Sequence, residues 1–341
     1  MSWTVAIGVD THRDFHVAVA LDSLGRTLGS IEVATSEEGS ERLLAFACSL
    51  GEPAFVVEGT GSYGASLTRF LIARGWQVYE CERPRRRSRG QAKSDLIDAE
   101  KAAARLLSGK RLGLPRGGSE EREALRLLVS ERRSCLRAHT ATVNQLQAAR
   151  LTAPREIQAL LPKRGRALLR ASLALADDSV YAASLRRLAE RISALARELT
   201  EIDQELVRLT RSLCPRLLEE KGVGPVCAAQ LLVSCGDPRR LHSEASFAAL
   251  AGVSPIKASS GLTRRYRLNR GGDRQLNWAL HMTALSRIQF HAETRDYYGR
   301  LLERGKSNRE AIRCVKRMLA RRLYNVIVSE GAWSSPALVD T

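Results

Sequence analysis

The first part of the chain alternates between short apolar runs and polar turn residues. Three β-rich runs, WTVAIGV, FHVAVAL and TLGSIEVAT, lie within residues 3–35, and LDSLGR between the last two has the Asp, Ser and Gly of a hairpin turn. Helical segments then alternate with two further apolar runs, PAFVVE and WQVYEC. This order predicts a mixed α/β sheet of the ribonuclease-H type, although the alternation alone also fits other α/β folds.

Helical periodicity replaces the strand pattern in the middle of the chain. An apolar stripe with spacings of three and four residues covers four heptads: Leu185, Leu188, Ile192, Leu195, Leu199, Ile202, Leu206, Leu209 and Leu213. A less regular stripe comes earlier: Leu125, Leu128, Cys135, Val143 and Leu146. Two long helices joined by the Pro-containing segment TAPREIQALLPKRG would form an antiparallel coiled-coil arm, and the alternative is an ordinary helical core. For residues 214–341 the sequence pattern predicts a second, mostly helical domain.

The composition is that of a strongly basic chain with enough apolar residues to form a hydrophobic core. Of 341 residues, 44% are hydrophobic, and 54 Lys+Arg against 37 Asp+Glu give a net charge of +17. These values exclude a wholly disordered basic protein, and the excess predicts a polyanionic partner, foremost nucleic acid. No run approaches the ~20 apolar residues of a membrane span. We also find no signal-peptide pattern, so we expect a soluble intracellular protein that does not bind membranes.

Cysteine and histidine spacing gives no metal motif. The chain has seven cysteines, an odd number, and no two of them form a CxxC motif, so we expect reduced thiols. His12 and His16 lie four residues apart in a predicted strand and turn, where this spacing is not expected to converge on a metal ion.

Four acidic residues follow the predicted elements in a meaningful order. Asp10 ends the first strand, Glu58 ends the fourth, and Asp95 and Asp98 lie three apart in the helix after the fifth. This is the layout of the ribonuclease-H-like nucleases, in which carboxylates hold Mg²⁺ ions that neutralise charge during phosphoryl transfer. The alternative is that Asp95 is a helix cap and Asp98 belongs to a solvated helix face.

Two cationic clusters flank the candidate chemistry. The first immediately precedes Asp95 and consists of Arg83, Arg85, Arg86, Arg87, Arg89 and Lys93. The second consists of Lys257, Arg264, Arg265, Arg267, Arg270 and Arg274, with Tyr266 among them. We expect both clusters to contact phosphates, and a solvated charged loop is the alternative for the first.

Two glycine-containing segments of the C-terminal part add further candidates. Gly222 and Gly224 lie between two apolar helical stretches and resemble a helix-hairpin-helix element, whose free backbone N–H groups bind DNA phosphates. The alternative is a tight turn in a helical core. In the second segment Ser259 and Ser260 precede Gly261 within the cationic run, where arginines could support a serine nucleophile. From these residues alone a backbone clamp without catalysis is at least as good an interpretation.

Taken together, the motifs resemble one protein family. GVDTH, EGTGSYG, KSDLIDA, KGVGP, and the late SSG followed by RR and NRGGDRQL are similar to the transposases of the insertion sequence 110 (IS110) family, the DEDD recombinases related to Piv-type DNA invertases. The resemblance extends from about residue 5 to residue 330. The sequence departs from many members at Arg13, where they carry Lys, and at Gly64, where they carry an aromatic residue; neither position is a carboxylate.

The resemblance implies an architecture and a mechanism. It implies a RuvC-like catalytic domain (1–110), a coiled-coil arm (111–213) and a C-terminal transposase domain with a catalytic serine (214–341). The acidic tetrad Asp10, Glu58, Asp95 and Asp98 would bind Mg²⁺, and Ser260 would form a covalent phosphoserine link to DNA, with Ser259 as a close rival. It further implies an element-encoded bridge RNA that pairs with target and donor DNA, a dimer to tetramer, and a bacterial cytoplasmic, nucleoid-associated protein.

Three other functions stay open. A metal-dependent nuclease or junction resolvase of the same fold would use water as its nucleophile and need the tetrad without the serine. A non-catalytic nucleic-acid-binding protein would need neither. A sugar-kinase-like phosphotransferase shares the first-strand Asp, but we find no convincing second Gly-rich phosphate loop, and the charge argues against a small-molecule substrate.

Overall fold

The structure is a computed structural model of the chain. It describes residues 3–81, 94–108, 112–115, 120–176, 178–237, 240–241, 243–257, 266–267 and 269–330.

A mixed five-stranded sheet forms the N-terminal part of the fold. Its strands are β1 (Val5–Thr11), β2 (Phe15–Leu21), β3 (Thr27–Ala34), β4 (Pro53–Glu58) and β5 (Gln77–Cys81). They lie in the order β3-β2-β1-β4-β5, with β1, β2 and β3 antiparallel, and β4 and β5 parallel to β1. The predicted mixed sheet is therefore confirmed, and β1 lies at its centre.

Helices cover both faces of this sheet because successive side chains of β1 point to opposite sides. Ile7 and Val9 share a core with helices α1 (Glu37–Leu50) and α2 (Ala65–Ala73). On the other face, Ala6 and Gly8 meet helix α3 (Asp95–Leu107) through Ala99 and Ala103.

The contact between β1 and α3 is unusually close. A Cβ atom on Gly8 would lie 2.0 Å from the Ala99 carbonyl oxygen and 2.4 Å from the Ala103 nitrogen. Only a glycine can accept a helix backbone at this distance, and alanines on the helix complete the fit. Gly8 therefore sets the position of α3 against the strand that carries Asp10.

The rest of the described chain is mostly helical. Its helices are α4 (Glu120–Thr152), α5 (Arg155–Leu160), α6 (Gly165–Leu173), α7 (Val180–Leu213), α8 (Pro215–Glu219), α9 (Pro225–Cys235), α10 (Glu244–Leu250), α11 (Arg274–Phe290), α12 (Ala292–Glu303) and α13 (Asn308–Ser329). A short antiparallel pair, β6 (Ile256–Lys257) and β7 (Tyr266–Arg267), lies between α10 and α11. Within the described residues, no helix is long and apolar enough to cross a membrane.

The two long helices of the predicted arm run antiparallel to each other. Arg132 on α4 forms an ion pair with Asp203 on α7, with 2.5 Å between Nε and Oδ1. The Cys135 thiol donates to the Leu195 carbonyl oxygen at 3.5 Å. The residue numbers of the contact partners thus fall along α7 as they rise along α4. The pairing of the two predicted helices occurs within one chain, while a true coiled-coil seam stays a prediction.

The chain divides into two compact units, each built from several segments. One contains Met1–Glu123, Ser234–Asn277 and Lys316–Thr341, and the other contains Ala124–Val233 and Trp278–Val315. The sheet and the segment around β6 and β7 belong to the same unit. The three-domain division at residues 110 and 213 stays a prediction.

Candidate functional site

Asp10 is the buried centre of the candidate site. It lies near the end of β1, between two hydrogen-bonded neighbours in the sheet, and faces the same side as Gly8. Only 9% of the residue is exposed. Burial is the main cause that raises the pKa of its carboxyl group, and the nearby Asp95 raises it further, while His12 lowers it. A carboxylate held in this way gains from a cationic partner.

Helix α3 delivers the second carboxylate. Asp95 is its first residue, so its side chain lies at the positive end of the helix dipole. The close packing of α3 on Gly8 brings this helix end towards the end of β1. Asp10 and Asp95 are 85 positions apart in sequence, and the sheet and helix bring them together.

His12 completes a group of three. Its Nε2 atom lies 3.4 Å from Oδ2 of Asp10 and 3.4 Å from Oδ2 of Asp95. One potential ligand atom from each of the three residues lies within 4.8 Å of the other two. The His12 Nε2 atom is buried and has no hydrogen bond of acceptable geometry.

This arrangement fits a divalent cation. Ligand atoms bonded to one ion at ~2.1 Å lie ~3 to 4 Å from each other, and both separations of 3.4 Å from His12 Nε2 to the carboxylate oxygens fall in this range. Two carboxylates supply negative charge, and the orphaned nitrogen supplies a lone pair in its neutral form. The residues present therefore suit a metal ion chemically as well as geometrically.

The two other predicted acids lie beside this group and outside it. Glu58 ends β4, and the parallel pairing of Val9 with Val57 places it next to Asp10 on the same face. Asp98 lies on α3 with its Oδ1 atom 3.9 Å from Nζ of Lys101. Neither acid belongs to the group whose atoms lie within 4.8 Å of one another. Their roles as metal ligands stay predictions.

Sequence reasoning missed His12. It compared His12 with His16, which lies on the opposite face of the sheet and is 1% exposed. The useful comparison is with Asp10, two residues earlier, because side chains two apart on an extended strand face the same side. The pattern Asp-x-His at a strand end was the signal that could have found it.

The predicted nucleophiles and much of the predicted DNA-contacting charge lie outside the described residues. This applies to Ser259 and Ser260 and to the following cations: Arg83, Arg85, Arg86, Arg87, Arg89, Lys93, Arg264 and Arg265. Of the remaining cations, Lys257 lies on β6, while Arg267 and Arg270 are exposed and available to a polyanion.

The ends of the segment that contains the serines are held by a tight backbone contact. A Cβ atom on Gly272 would lie 2.4 Å from the nitrogen and 2.5 Å from the Cα of Gly252. Asn269 donates to the Ala249 carbonyl oxygen at 3.1 Å. Together with the β6–β7 pair, these contacts form what we call the loop base, which brings residues 257 and 266 side by side.

Polar side chains extend the loop base towards α13. Asn277 donates through Nδ2 to the Ala251 carbonyl oxygen at 2.7 Å and accepts from Lys316 Nζ at 2.6 Å. Asp273 accepts from the Ser234 hydroxyl at 2.7 Å and from the Gln275 backbone N–H at 2.8 Å, which caps α11. Lys316 is 8% exposed, so these bonds lie in a largely dry environment.

The glycine turn before α9 has a structural constraint of its own. Gly222 has φ +84°, and a Cβ atom there would lie 2.7 Å from Cγ of Arg287. Arg287 donates to the Lys221 carbonyl oxygen at 3.2 Å and to Oε2 of Glu220 at 3.1 Å. Gly224 has nothing within 4 Å of its Cβ position. The space at Gly224 leaves room for a ligand, and DNA contact at Gly222 and Gly224 stays a prediction.

Two family models match this chain. A model of IS110-type DEDD transposases, described as a transposase, matches residues 7–152, which include Asp10, Glu58, Asp95 and Asp98. A second model, described as the transposase IS116/IS110/IS902 family, matches residues 214–299, which include the loop base.

Individual relatives agree with these models. An uncharacterised 44.8 kDa protein of insertion element IS116 from Streptomyces clavuligerus is 24% identical over 94% of this chain and 93% of the relative. An uncharacterised 43.6 kDa protein of insertion element IS110 from Streptomyces coelicolor is 29% identical over 49% of this chain, which spans 42% of that relative. A probable family 20 transposase from Pseudomonas aeruginosa is 27% identical over 54% of this chain and 56% of its own length.

Proposed function

The chain belongs to the IS110 family of transposases, and on this premise we propose that it cuts and rejoins DNA with an acidic metal centre and a serine nucleophile. The observation that carries the proposal is the convergence of Asp10, His12 and Asp95 at the junction of β1 and α3. The strand order and the acids at successive strand ends favour a ribonuclease-H-like, RuvC-type domain for this region.

The group of Asp10, His12 and Asp95, which we call the acidic centre, would act on the phosphate. Asp10 and Asp95 would hold a divalent cation, for which Mg²⁺ is the predicted ion, and Glu58 and Asp98 would complete the charge balance from the adjacent strand and helix. When bound, the cation neutralises charge on the reacting phosphate and on the leaving oxygen. The burial of Asp10 keeps competing water away from this carboxylate, and the raised pKa of its carboxyl group reflects the same burial.

The serine step is a transesterification. The Ser260 oxygen attacks the phosphorus and its proton leaves to a base. One P–O bond of the DNA backbone breaks as the P–O bond to serine forms, and the released DNA oxygen takes up a proton to become a free hydroxyl. A DNA hydroxyl then attacks the phosphoserine and restores the backbone. Conserving one phosphoester bond at each step allows rejoining without an external energy source.

Basic residues supply contacts to nucleic acid. The exposed Arg267 and Arg270 beside the loop base form the described part of one phosphate-binding surface. The turn at Gly224 is a separate candidate contact in the other compact unit. The other cations of the two clusters extend it in sequence. We further propose an element-encoded bridge RNA that selects the DNA sites, and a homo-oligomer, up to a tetramer, that brings an acidic centre and a serine from different protomers together.

The covalent intermediate tests this proposal. The full chain is incubated with its element DNA and the RNA transcribed from the element, with Mg²⁺, and protein–DNA adducts that survive denaturant are measured. We expect Ser260→Ala and Asp10→Asn to abolish the adduct, and Ser254→Ala, a serine variant outside the predicted pair, to keep it. An adduct that persists in Ser260→Ala and is lost in Ser259→Ala moves the nucleophile by one residue.

A metal-dependent nuclease or resolvase is the second candidate. The acidic group alone favours it, because that group could activate water without the serine. Hydrolytic nicks that require Asp10 and Asp95, with no protein-linked DNA and no effect of Ser260→Ala, would select this function over recombination.

A further inference from the structure

The nitrogen of His12 lies where a third metal ligand would lie. Its Nε2 atom is equidistant, at 3.4 Å, from one oxygen of Asp10 and one of Asp95. It is buried and makes no hydrogen bond of acceptable geometry. A buried polar atom without a hydrogen bond costs free energy, and binding to an ion between it and the two neighbouring carboxylates is one way to satisfy it.

The His12 ring is held in this position by the end of the β1–β2 hairpin. The His12 backbone N–H donates to the Phe15 carbonyl oxygen at 3.0 Å, which closes the turn. The Phe15 ring packs against the imidazole with 4.8 Å between centroids. A ligand whose backbone and ring are both fixed loses little conformational entropy when it binds an ion.

A nitrogen ligand changes which ions the site prefers. Mg²⁺ favours oxygen ligands and keeps much of its water, whereas imidazole suits first-row transition metals. In a site of two carboxylates and one imidazole, affinity should rise from Mg²⁺ to Mn²⁺ and again to Co²⁺, following the Irving–Williams order. A site of carboxylates alone would show a flatter series.

We propose that His12 is a direct ligand of the metal centre and that its nitrogen makes the site select divalent transition metals over Mg²⁺. The inference rests on the proposed function, because it assigns a further ligand to the same centre. It concerns the choice of ion, which the four predicted acids do not determine.

A different role for His12 predicts the opposite change in metal affinity when the histidine is removed. As a protonated imidazolium between Asp10 and Asp95, it would be a counter-ion that a metal must displace. Removing it would then tighten the binding of every divalent ion, since two carboxylates would lose their internal cation. The ligand role predicts weaker binding, and only for the transition metals.

Metal titrations of the full chain without nucleic acid distinguish these roles. Isothermal titration calorimetry gives affinities for Mg²⁺, Mn²⁺ and Co²⁺ in the wild type, His12→Ala and His139→Ala, the last replacing a histidine of α4. We expect the wild type to bind Mn²⁺ and Co²⁺ more tightly than Mg²⁺. His12→Ala should lose at least ~10-fold in Co²⁺ affinity, the lower limit even for an outer-shell partner, and little in Mg²⁺ affinity. His139→Ala should match the wild type.

A spectroscopic measurement tests the bond itself. Pulsed electron paramagnetic resonance of bound Mn²⁺ should show ¹⁴N coupling from a coordinated imidazole in the wild type and in His139→Ala, and none in His12→Ala. Circular dichroism verifies that the variants are folded, and His12→Gln replaces His12→Ala if the latter is not.

The measurements separate the assignment of His12 as a ligand from the existence of the metal centre. Tighter binding in His12→Ala, an equal loss for all three ions, unchanged affinities or absent ¹⁴N coupling would overturn the ligand assignment and leave the acidic centre in place. The proposed metal centre itself fails if the wild type binds none of the ions, or if Asp10→Asn binds them as tightly as the wild type does.

Discussion

The acidic centre and the loop base are both held by a glycine, and the two glycines do different things. Gly8 admits a helix backbone, with a Cβ position 2.0 Å from the Ala99 carbonyl oxygen. Gly272 admits another loop, with a Cβ position 2.4 Å from the Gly252 nitrogen. In the first region the contact positions Asp95 directly, because that residue starts the docked helix. In the second it positions only the two ends of a segment.

The two regions fix their functional residues with different geometric precision. The proposed metal site needs ligand atoms at fixed separations, which a strand and a helix can supply. The proposed serine nucleophile would have to reach a DNA phosphate, and the paired residues 257 and 266 fix the two ends of the segment that contains it. We therefore expect damage at Gly8 to abolish metal binding and damage at Gly272 to spare it.

The largest effect is expected for Gly8→Ala. The added methyl group would overlap the α3 backbone, so α3 must move away, and we expect a loss of about 3 kcal/mol in the free energy of unfolding, together with lost metal affinity. Urea unfolding and metal titration measure both. Gly61→Ala is the matched control, because nothing lies within 4 Å of its Cβ position. Wild-type metal affinity in Gly8→Ala would contradict the role given to this contact.

A smaller but more selective effect is expected for Gly272→Ala. We predict a loss of about 2 kcal/mol in the free energy of unfolding, wild-type metal affinity, and strongly reduced adduct formation. Gly271→Ala is the control, since its Cβ position meets only Asn269 Oδ1, at 3.5 Å. If Gly272→Ala weakens metal binding as much as Gly8→Ala does, the proposed separation between the two regions is wrong.

Asn277→Ala tests the polar part of the loop base. It removes a partner of the Lys316 ammonium and of the Ala251 carbonyl oxygen in a buried setting, and we expect a loss of about 1.5 kcal/mol. The double variant Asn277→Ala/Lys316→Met should recover part of this loss, because the buried charge is removed as well. Additive losses in the double-mutant cycle would mean that the two side chains are not coupled.

The smallest effect is the pH dependence due to Asp10. Its pKa is raised in the folded state, chiefly by burial, so the folded protein binds this proton more tightly than the unfolded chain does. Without metal, its contribution to stability is therefore lost as the pH rises from the unfolded pKa through the folded pKa, and Asp10→Asn should remove this decline. Unfolding of both proteins across pH 3–7 measures the difference.

Asp22 supplies the control of opposite sign. Hydrogen bonds from the Arg26 backbone N–H and then from its side chain lower the pKa of the Asp22 carboxyl group. Its contribution is therefore present above the unfolded pKa and lost as the pH falls through the folded pKa. A decline with rising pH for both residues would argue against burial as the cause at Asp10.

The sheet was predictable from the sequence because its rules are local. Apolar runs of strand length and the turn at LDSLGR determined the strands, and the order of acids placed Asp10 and Glu58 at adjacent strand ends. The long helices followed from the stripe that begins at Leu185. These features depend on residues close together in sequence, so a pattern reveals them.

The remainder depends on contacts between distant segments. Nothing near Gly8 in sequence shows that Ala99 will lie against it, and the approach of His12 to both Asp10 and Asp95 depends on how α3 packs on the sheet. The loop base likewise joins Gly252 to Gly272 and Asn277 to Lys316, pairs that no periodicity connects. Such contacts are properties of the packed structure.

Helix α13 gives the order of protein synthesis a role in assembling the loop base. Lys316 bonds Asn277, and the Tyr324 hydroxyl donates to the Leu241 carbonyl oxygen at 2.7 Å. A ribosome adding ~5–20 residues per second exposes the β-sheet and α3 many seconds before it reaches α13. During translation the acidic centre can therefore form while the loop base is still incomplete. In a nascent chain the contact between Gly8 and α3 can therefore precede the bonds that α13 makes to the loop base.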